Sequence, residues 1–190
     1  MSRPDIATTG RLPMSRLDPA FARIQRWDER VCVRMNRALR YATVLPVFRA
    51  VSWLGNGIFW YSLMLALLLQ HGGQAVQPVV HMVLVGIVCT LAYKILKRGT
   101  LRPRPYQALQ AVAAGAGALD AFSFPSGHTL HAVSFTWQAC AAFPELTPLL
   151  VPLATAIAAS RVVLGLHYPT DVLVGGLIGA IFAVVGVSVL

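Results

Sequence analysis

The chain has 190 residues, 56% of them hydrophobic and only 12% charged, with a mean hydropathy of +0.64. A soluble domain carries about 25% charged residues, so the composition excludes an ordinary soluble enzyme and points to one membrane-embedded domain. The formal charge of +9 does not argue for nucleic acid, because it is concentrated at one end. Residues 1–50 hold ten arginines against four acidic residues, a local net of +6, which suits an anionic membrane surface or a cytoplasmic tail.

Residues 1–20 mix Arg, Pro, Thr and Asp without a period and read as a loose arm. They lack the apolar stretch and cleavage site of a secretory signal, so the first hydrophobic helix is expected to direct insertion. From Phe21 to Tyr41 apolar residues recur at helical spacing (Phe21, Ile24, Trp27, Val31, Met35, Leu39), with arginines on the opposite face. Two readings fit: an amphipathic helix lying on the membrane surface, or a solvated helix packed on the domain. The chain divides accordingly into a basic arm, residues 1–50, and a membrane-embedded domain, residues 51–190.

Five apolar stretches follow, and they predict an all-α fold: a polytopic membrane helical bundle of about five transmembrane helices plus the N-terminal amphipathic helix. The first is Val51–Leu69, with Trp53, Trp60 and Tyr61 toward its start as an interfacial belt. Val79–Ile95 is the second, with His81 read as interfacial. The third, 129–143, is short and ends at Phe143-Pro144. Pro148–Leu166 is the fourth and Val172–Leu190 the fifth. Gly175 and Gly179 on the fifth permit close helix packing, within the chain or in a homodimer. Cys32, Cys89 and Cys140 have no paired spacing and read as small buried residues, neither disulfides nor metal ligands.

Three polar clusters separate these stretches. The first holds five cations within eleven residues, Lys94, Lys97, Arg98, Arg102 and Arg104. Membrane-end anchoring explains many such clusters, but Pro103 and Pro105 stiffen this one, so that Lys97 and Arg104 can converge on a dianion. An Ala- and Gly-rich loop over 106–123 follows, with Asp120 as its one acidic residue. The second cluster, Pro125-Ser126-Gly127-His128, opens the third apolar stretch and leaves backbone N–H groups free at a helix start, an anion site. His131, one turn on, reads as a packing residue.

The third cluster runs from Ser160 and Arg161 to His167 and Asp171. An arginine within an apolar run needs a partner or a function. Pro169 breaks the helix between His167 and Asp171 and places Asp171 in the first turn of the next helix. There the dipole keeps the carboxylate ionised, and it is placed to hold the His167 imidazole in one tautomer, as a nucleophile or base requires. The alternative is a helix end with an ordinary interfacial histidine and a capping aspartate. Three cations, a helix start, two histidines and a single carboxylate do not suit a two-metal phosphatase. They suit phosphoryl transfer with the charge neutralised by side chains.

Lys97…Arg104-Pro105, Pro125-Ser126-Gly127-His128 and Ser160-Arg161…His167…Asp171 resemble, in order and spacing, the three signatures of the type 2 phosphatidic acid phosphatase superfamily. The resemblance covers residues 50–190 and departs at no signature position. It implies a helical bundle with one active site at a membrane face, and neither metal nor cofactor. By the same resemblance His167 takes the position of the nucleophile, Asp171 of the residue that orients it, and His128 of the acid that protonates the leaving oxygen and then activates water. Lys97, Arg104 and Arg161, with the Ser126 hydroxyl and Gly127 N–H, match the phosphate cradle. The implied activity is a lipid phosphate or diphosphate phosphatase acting on undecaprenyl diphosphate, phosphatidylglycerophosphate or phosphatidate held in the bilayer. The alternatives are a lipid-to-lipid phosphotransferase and a non-catalytic membrane scaffold of the same fold. The expected location is the cell (inner or cytoplasmic) membrane, crossed several times. A basic arm on the cytoplasmic side and five spans would put the site on the cytoplasmic face, whereas bacterial relatives commonly place it outside.

Overall fold

The computed structural model of the chain describes residues 19–118 and 120–189. Most of the arm expected to be loose, residues 1–18, lies outside the described residues. Among the described residues eight α-helices follow in order: α1 (Pro19–Asn36), α2 (Val44–Leu54), α3 (Gly57–His71), α4 (Gly73–Thr100), the one-turn α5 (Pro105–Ala108), α6 (Gly127–Ala142), α7 (Thr147–Val163) and α8 (Pro169–Val189).

Helix α6 is the centre of the bundle, packed by α4, α7 and α8. Its buried residues, among them Leu130, Ala132, Phe135 and Ala139, lie on several sides of the helix. It therefore shows no amphipathic stripe, as a surrounded helix should not. Trp60, Met64, Met82, Phe135, Leu150 and Ile157 form the main core between α3, α4, α6 and α7. Large apolar side chains also cover the outside, including Leu65, Leu69, Ile87, Leu91, Leu173, Leu177 and Ile181. An apolar exterior of this kind faces lipid.

Among the described residues Gly73–Ala108, Pro144–Val163 and Pro169–Ser188 are each long and apolar enough to cross a membrane, and α2 and α3, bent by 54° at their junction, reach that standard only as a pair. The bend corrects the uninterrupted span expected over Val51–Leu69. Gly55 ends α2, Asn56 adopts extended backbone, and Gly57 starts α3. Helix α6 has 16 residues, about 24 Å at 1.5 Å per residue, short against the ~30 Å hydrocarbon core. The second signature sits at its N-terminus.

Helix α8 lies against α6 through two glycines. A Cβ on Gly179 would stand 2.3 Å from the Leu130 carbonyl oxygen, and one on Gly175 2.6 Å from that of Ser126. The glycine pair is thus occupied by packing within the chain. Gly179→Ala is expected to separate α8 from α6 at a cost of about 1–3 kcal/mol, the range for overpacking. A thermal melt in detergent would register it as a lowered Tm.

Candidate active site

Each signature sits at a helix end, and backbone hydrogen bonds tie the three together. Helix α4 carries Lys97 in its last turn and stops at Leu101, whose φ of 47° is left-handed. The Arg102–Pro105 segment then runs back over the third signature, with Tyr106 N–H donating to the Gly165 carbonyl at 3.2 Å. Ser126 N–H donates to the Asp171 carbonyl at 3.0 Å, joining the second signature to the third. Helix α7 ends at Val163, and the chain turns at Gly165 (φ 71°), where a Cβ would meet the Ala113 carbonyl at 2.7 Å. Pro169 then starts α8 and puts Asp171 in its first turn, as the proline spacing predicts.

His167, at 1% exposure, lies on that turn. Its Nδ1 is 2.6 Å from the Ser123 carbonyl oxygen, which can only accept. Its Nε2 is 3.3 Å from Nη1 of Arg104, which can only donate. The two contacts assign one tautomer: Nδ1 carries the hydrogen and Nε2 presents its lone pair. Burial, reinforced by Arg161, Arg104 and Lys97, holds the imidazole well below the ordinary histidine range, against the opposing pull of the Ser123 carbonyl. The ring is therefore neutral, with a bare nitrogen facing a guanidinium.

That nitrogen opens into a cluster of cations. Arg104, 1% exposed, also donates through Nη1 to the Leu166 carbonyl at 2.8 Å. Arg161, 3% exposed, donates to the Ser52 hydroxyl, while its Nε has no hydrogen-bond partner among the described residues. A buried guanidinium N–H without an acceptor is costly and fits a site built for an anion. Ser126, the cap residue of α6, shares a 2.9 Å hydrogen bond with the Thr129 hydroxyl and leaves the first amides of the helix to the site.

The PAP2 superfamily profile matches residues 75–190. This chain belongs to that superfamily. No curated protein sequence matches it. Among solved structures it is similar to LpxE of Aquifex aeolicus, with 26% identity and a TM-score of 0.72 over 82% of this chain and 92% of that one. It is also similar to the first transmembrane PAP2-type phosphatidylglycerolphosphate phosphatase from Bacillus subtilis, with 24% identity and a TM-score of 0.70 over 87% and 85%. The second likeness is one of fold. The PAP2 chain is a multi-pass membrane protein.

All eight residues singled out in the PAP2 signatures lie at this junction, but one relationship differs from expectation. Asp171 does not hold the His167 imidazole by a hydrogen bond: its Oδ2 is 3.7 Å from Nδ1, whose partner is the Ser123 carbonyl. Asp171 instead accepts from Tyr168 N–H at 2.8 Å and from Arg102 at 2.5 Å. His128 shares Nε2 with Asn56 Oδ1 at 2.9 Å, and Asn56 is the residue at the α2–α3 bend. His131 uses both ring nitrogens, on the Gly127 carbonyl and the Thr90 hydroxyl, so it packs as the sequence predicts.

Sequence reasoning missed Ser52, Asn56 and Ser123, and gave Asp120 no role. Asp120 reaches Lys97 at 2.5 Å and Arg104 at 2.6 Å, so the cradle carries a carboxylate of its own. Burial alone would raise its pKa, but Lys97 and Arg104 outweigh it and hold the carboxyl below the usual range. The one signal in the sequence is that it is the sole carboxylate of the loop before His128. An anion entering the site competes with it for both cations. Asp120→Asn is therefore expected to tighten inhibition by inorganic phosphate several-fold, and a weaker or unchanged inhibition constant would count against that competition.

Proposed function

We propose that the chain is an integral-membrane phosphatase that removes the terminal phosphate of a lipid phosphate or diphosphate through a phosphohistidine at His167. The observation that carries this reading is the bare, neutral Nε2 of His167 facing Arg104 at 3.3 Å beside Lys97 and Arg161. In the first step Nε2 forms a bond to phosphorus as the bond from phosphorus to the lipid oxygen breaks, and His128 gives that oxygen a proton. In the second, His128 takes a proton from water, the water oxygen bonds to phosphorus, the N–P bond breaks, and inorganic phosphate leaves. The three cations and the α6 amides neutralise charge on the equatorial oxygens. The positive charge left on the phosphorylated ring is offset by Asp171, 3.7 Å from Nδ1.

Two features support a lipid substrate. The site stands at the N-terminus of α6, in a bundle whose outer helix faces are apolar. An apolar cavity of about 650 Å³ lies between α6 and α7, lined among others by Val133, Trp137, Cys140, Val151 and Ala158. The two helices that line it also carry His128 and Arg161.

Purified protein in detergent with EDTA, given a panel of undecaprenyl diphosphate, phosphatidylglycerophosphate and phosphatidate, is expected to release phosphate and to rank the three. A transferase would release little phosphate in the presence of a lipid acceptor. Absence of release from every lipid, or its loss with EDTA and return with a divalent metal, would overturn the proposal.

A further inference from the structure

The inner face of α1 carries three buried residues at intervals of four, Asp28, Cys32 and Asn36. Such spacing aligns them on one face of the helix. Phe21, Ile24 and Trp27 point outward, 68, 50 and 41% exposed. Each inward residue meets the turn that joins α7 to α8. Asn36 Nδ2 donates to the Val163 carbonyl at 2.9 Å. The Cys32 thiol points at the His167 carbonyl at 3.7 Å. Asp28 accepts from Thr170 N–H at 3.0 Å and from the Thr170 hydroxyl at 2.5 Å. Helix α1 thus braces the whole stretch from 163 to 170, with His167 in the middle.

Asp28 and Asp171 are both fully buried, and Arg102 lies between them. Its Nη2 is 2.7 Å from Asp28 Oδ2 and its Nη1 2.5 Å from Asp171 Oδ1. Nη1 also reaches the Thr170 hydroxyl at 2.9 Å, and the guanidinium stacks 4.0 Å over the Tyr168 ring. Two buried carboxylates with one shared arginine are costly to desolvate and survive only in fixed geometry. A helix that merely rested on the membrane surface would have no use for a fully buried aspartate. Asp28 lies outside the matched residues 75–190, and Arg102 is at none of the signature positions.

We infer that Asp28 is a positioning residue for phosphoryl transfer: through Arg102 and Thr170 it fixes Asp171 and the turn that presents His167. The inner face of α1 by this account positions the turn that carries His167. The inference rests on the reading of His167 as the nucleophile.

The test uses the full chain in detergent and the fastest lipid of the panel above. Asp28→Asn is expected to lower kcat about 10- to 100-fold, the usual effect of losing an outer partner of a reacting group. KM and inhibition by inorganic phosphate should change less than about twofold, because Lys97, Arg104 and Arg161 are untouched. In an Asp171→Asn background the further loss on adding Asp28→Asn should be under about twofold, since residues acting through one another are non-additive. A purely structural brace would lower both backgrounds by the same factor. Wild-type kcat in Asp28→Asn, a change confined to KM, or multiplicative losses would overturn the proposal. Should Asp28→Asn fail to fold, Arg102→Lys carries the same test, keeping the charge but losing the two-sided fork. Arg34→Gln, on the exposed face of α1, is the control expected to match wild type. An active His167→Ala would sink the nucleophile assignment itself. An inactive His167→Ala beside a fully active Asp28→Asn would sink only the role of α1.

Discussion

His167→Asn lowers phosphate release by about 10⁴-fold or more, the scale on which loss of a nucleophile is felt, while the protein still folds. The asparagine amide can donate to the Ser123 carbonyl in place of Nδ1–H, so the buried acceptor keeps a partner. No nitrogen lone pair then faces the cradle. Equal rates for the variant and the wild type would show that His167 takes no phosphoryl group. The same residue sets the pH dependence. Its pKa in the folded chain is depressed by burial and by Arg161, Arg104 and Lys97, so the neutral nucleophile persists as pH falls through the ordinary histidine value of about 6.5. The acid limb of kcat/KM assigned to this group is expected below that value. Stability follows the same sign: below about pH 6.5 the unfolded chain binds a proton at this position that the folded chain does not, so stability declines as pH falls. An acid limb at or above 6.5 in kcat/KM would contradict the buried, cation-ringed imidazole.

Arg104→Gln is expected to lower kcat by about 10²–10³-fold, the effect of removing a donor aimed at developing charge. Arg104 does three things at once: it faces Nε2 of His167, holds the Leu166 carbonyl beside it, and pairs with Asp120. Arg104→Lys should recover little of the loss, because one ammonium cannot span those directions. Since Arg104 touches both the nucleophile and the anion, kcat should fall and inhibition by inorganic phosphate should weaken together. A variant that weakens phosphate binding at unchanged kcat would show that Arg104 only collects substrate.

What the sequence made legible was the chemistry that depends on residue type and spacing. Lys97, Arg104, the Ser126–His128 turn, Arg161, His167 and Asp171 converge because each lies at a helix end, and Pro105, Pro125 and Pro169 mark those ends. The bend at Gly55–Gly57 was hidden in a continuous apolar run, since averaged hydropathy ignores where helical hydrogen bonds stop. With it was hidden Asn56, which meets His128. The partner of His167 Nδ1 is a backbone carbonyl, which no side-chain pattern reveals, so Asp171 stood in for it on the page. The apolar stripe of α1 is exposed at Phe21, Ile24 and Trp27 and half-buried at Val31 and Met35, while the helix docks through Asp28, Cys32 and Asn36. Asp28 and Arg102 looked like surface charge because sequence position carries no sign of burial. Asp120 looked incidental for the same reason.

The central claim is a phosphoryl group bound covalently to His167, and trapping it is the most direct test. The wild-type protein would be mixed with a lipid phosphate carrying radioactive phosphorus, quenched within milliseconds, and digested for peptide mapping. The account predicts a label that is stable in base, labile in acid, and confined to the peptide containing His167. A rapid quench that captures no phosphoprotein, or a label on any other residue, would contradict it.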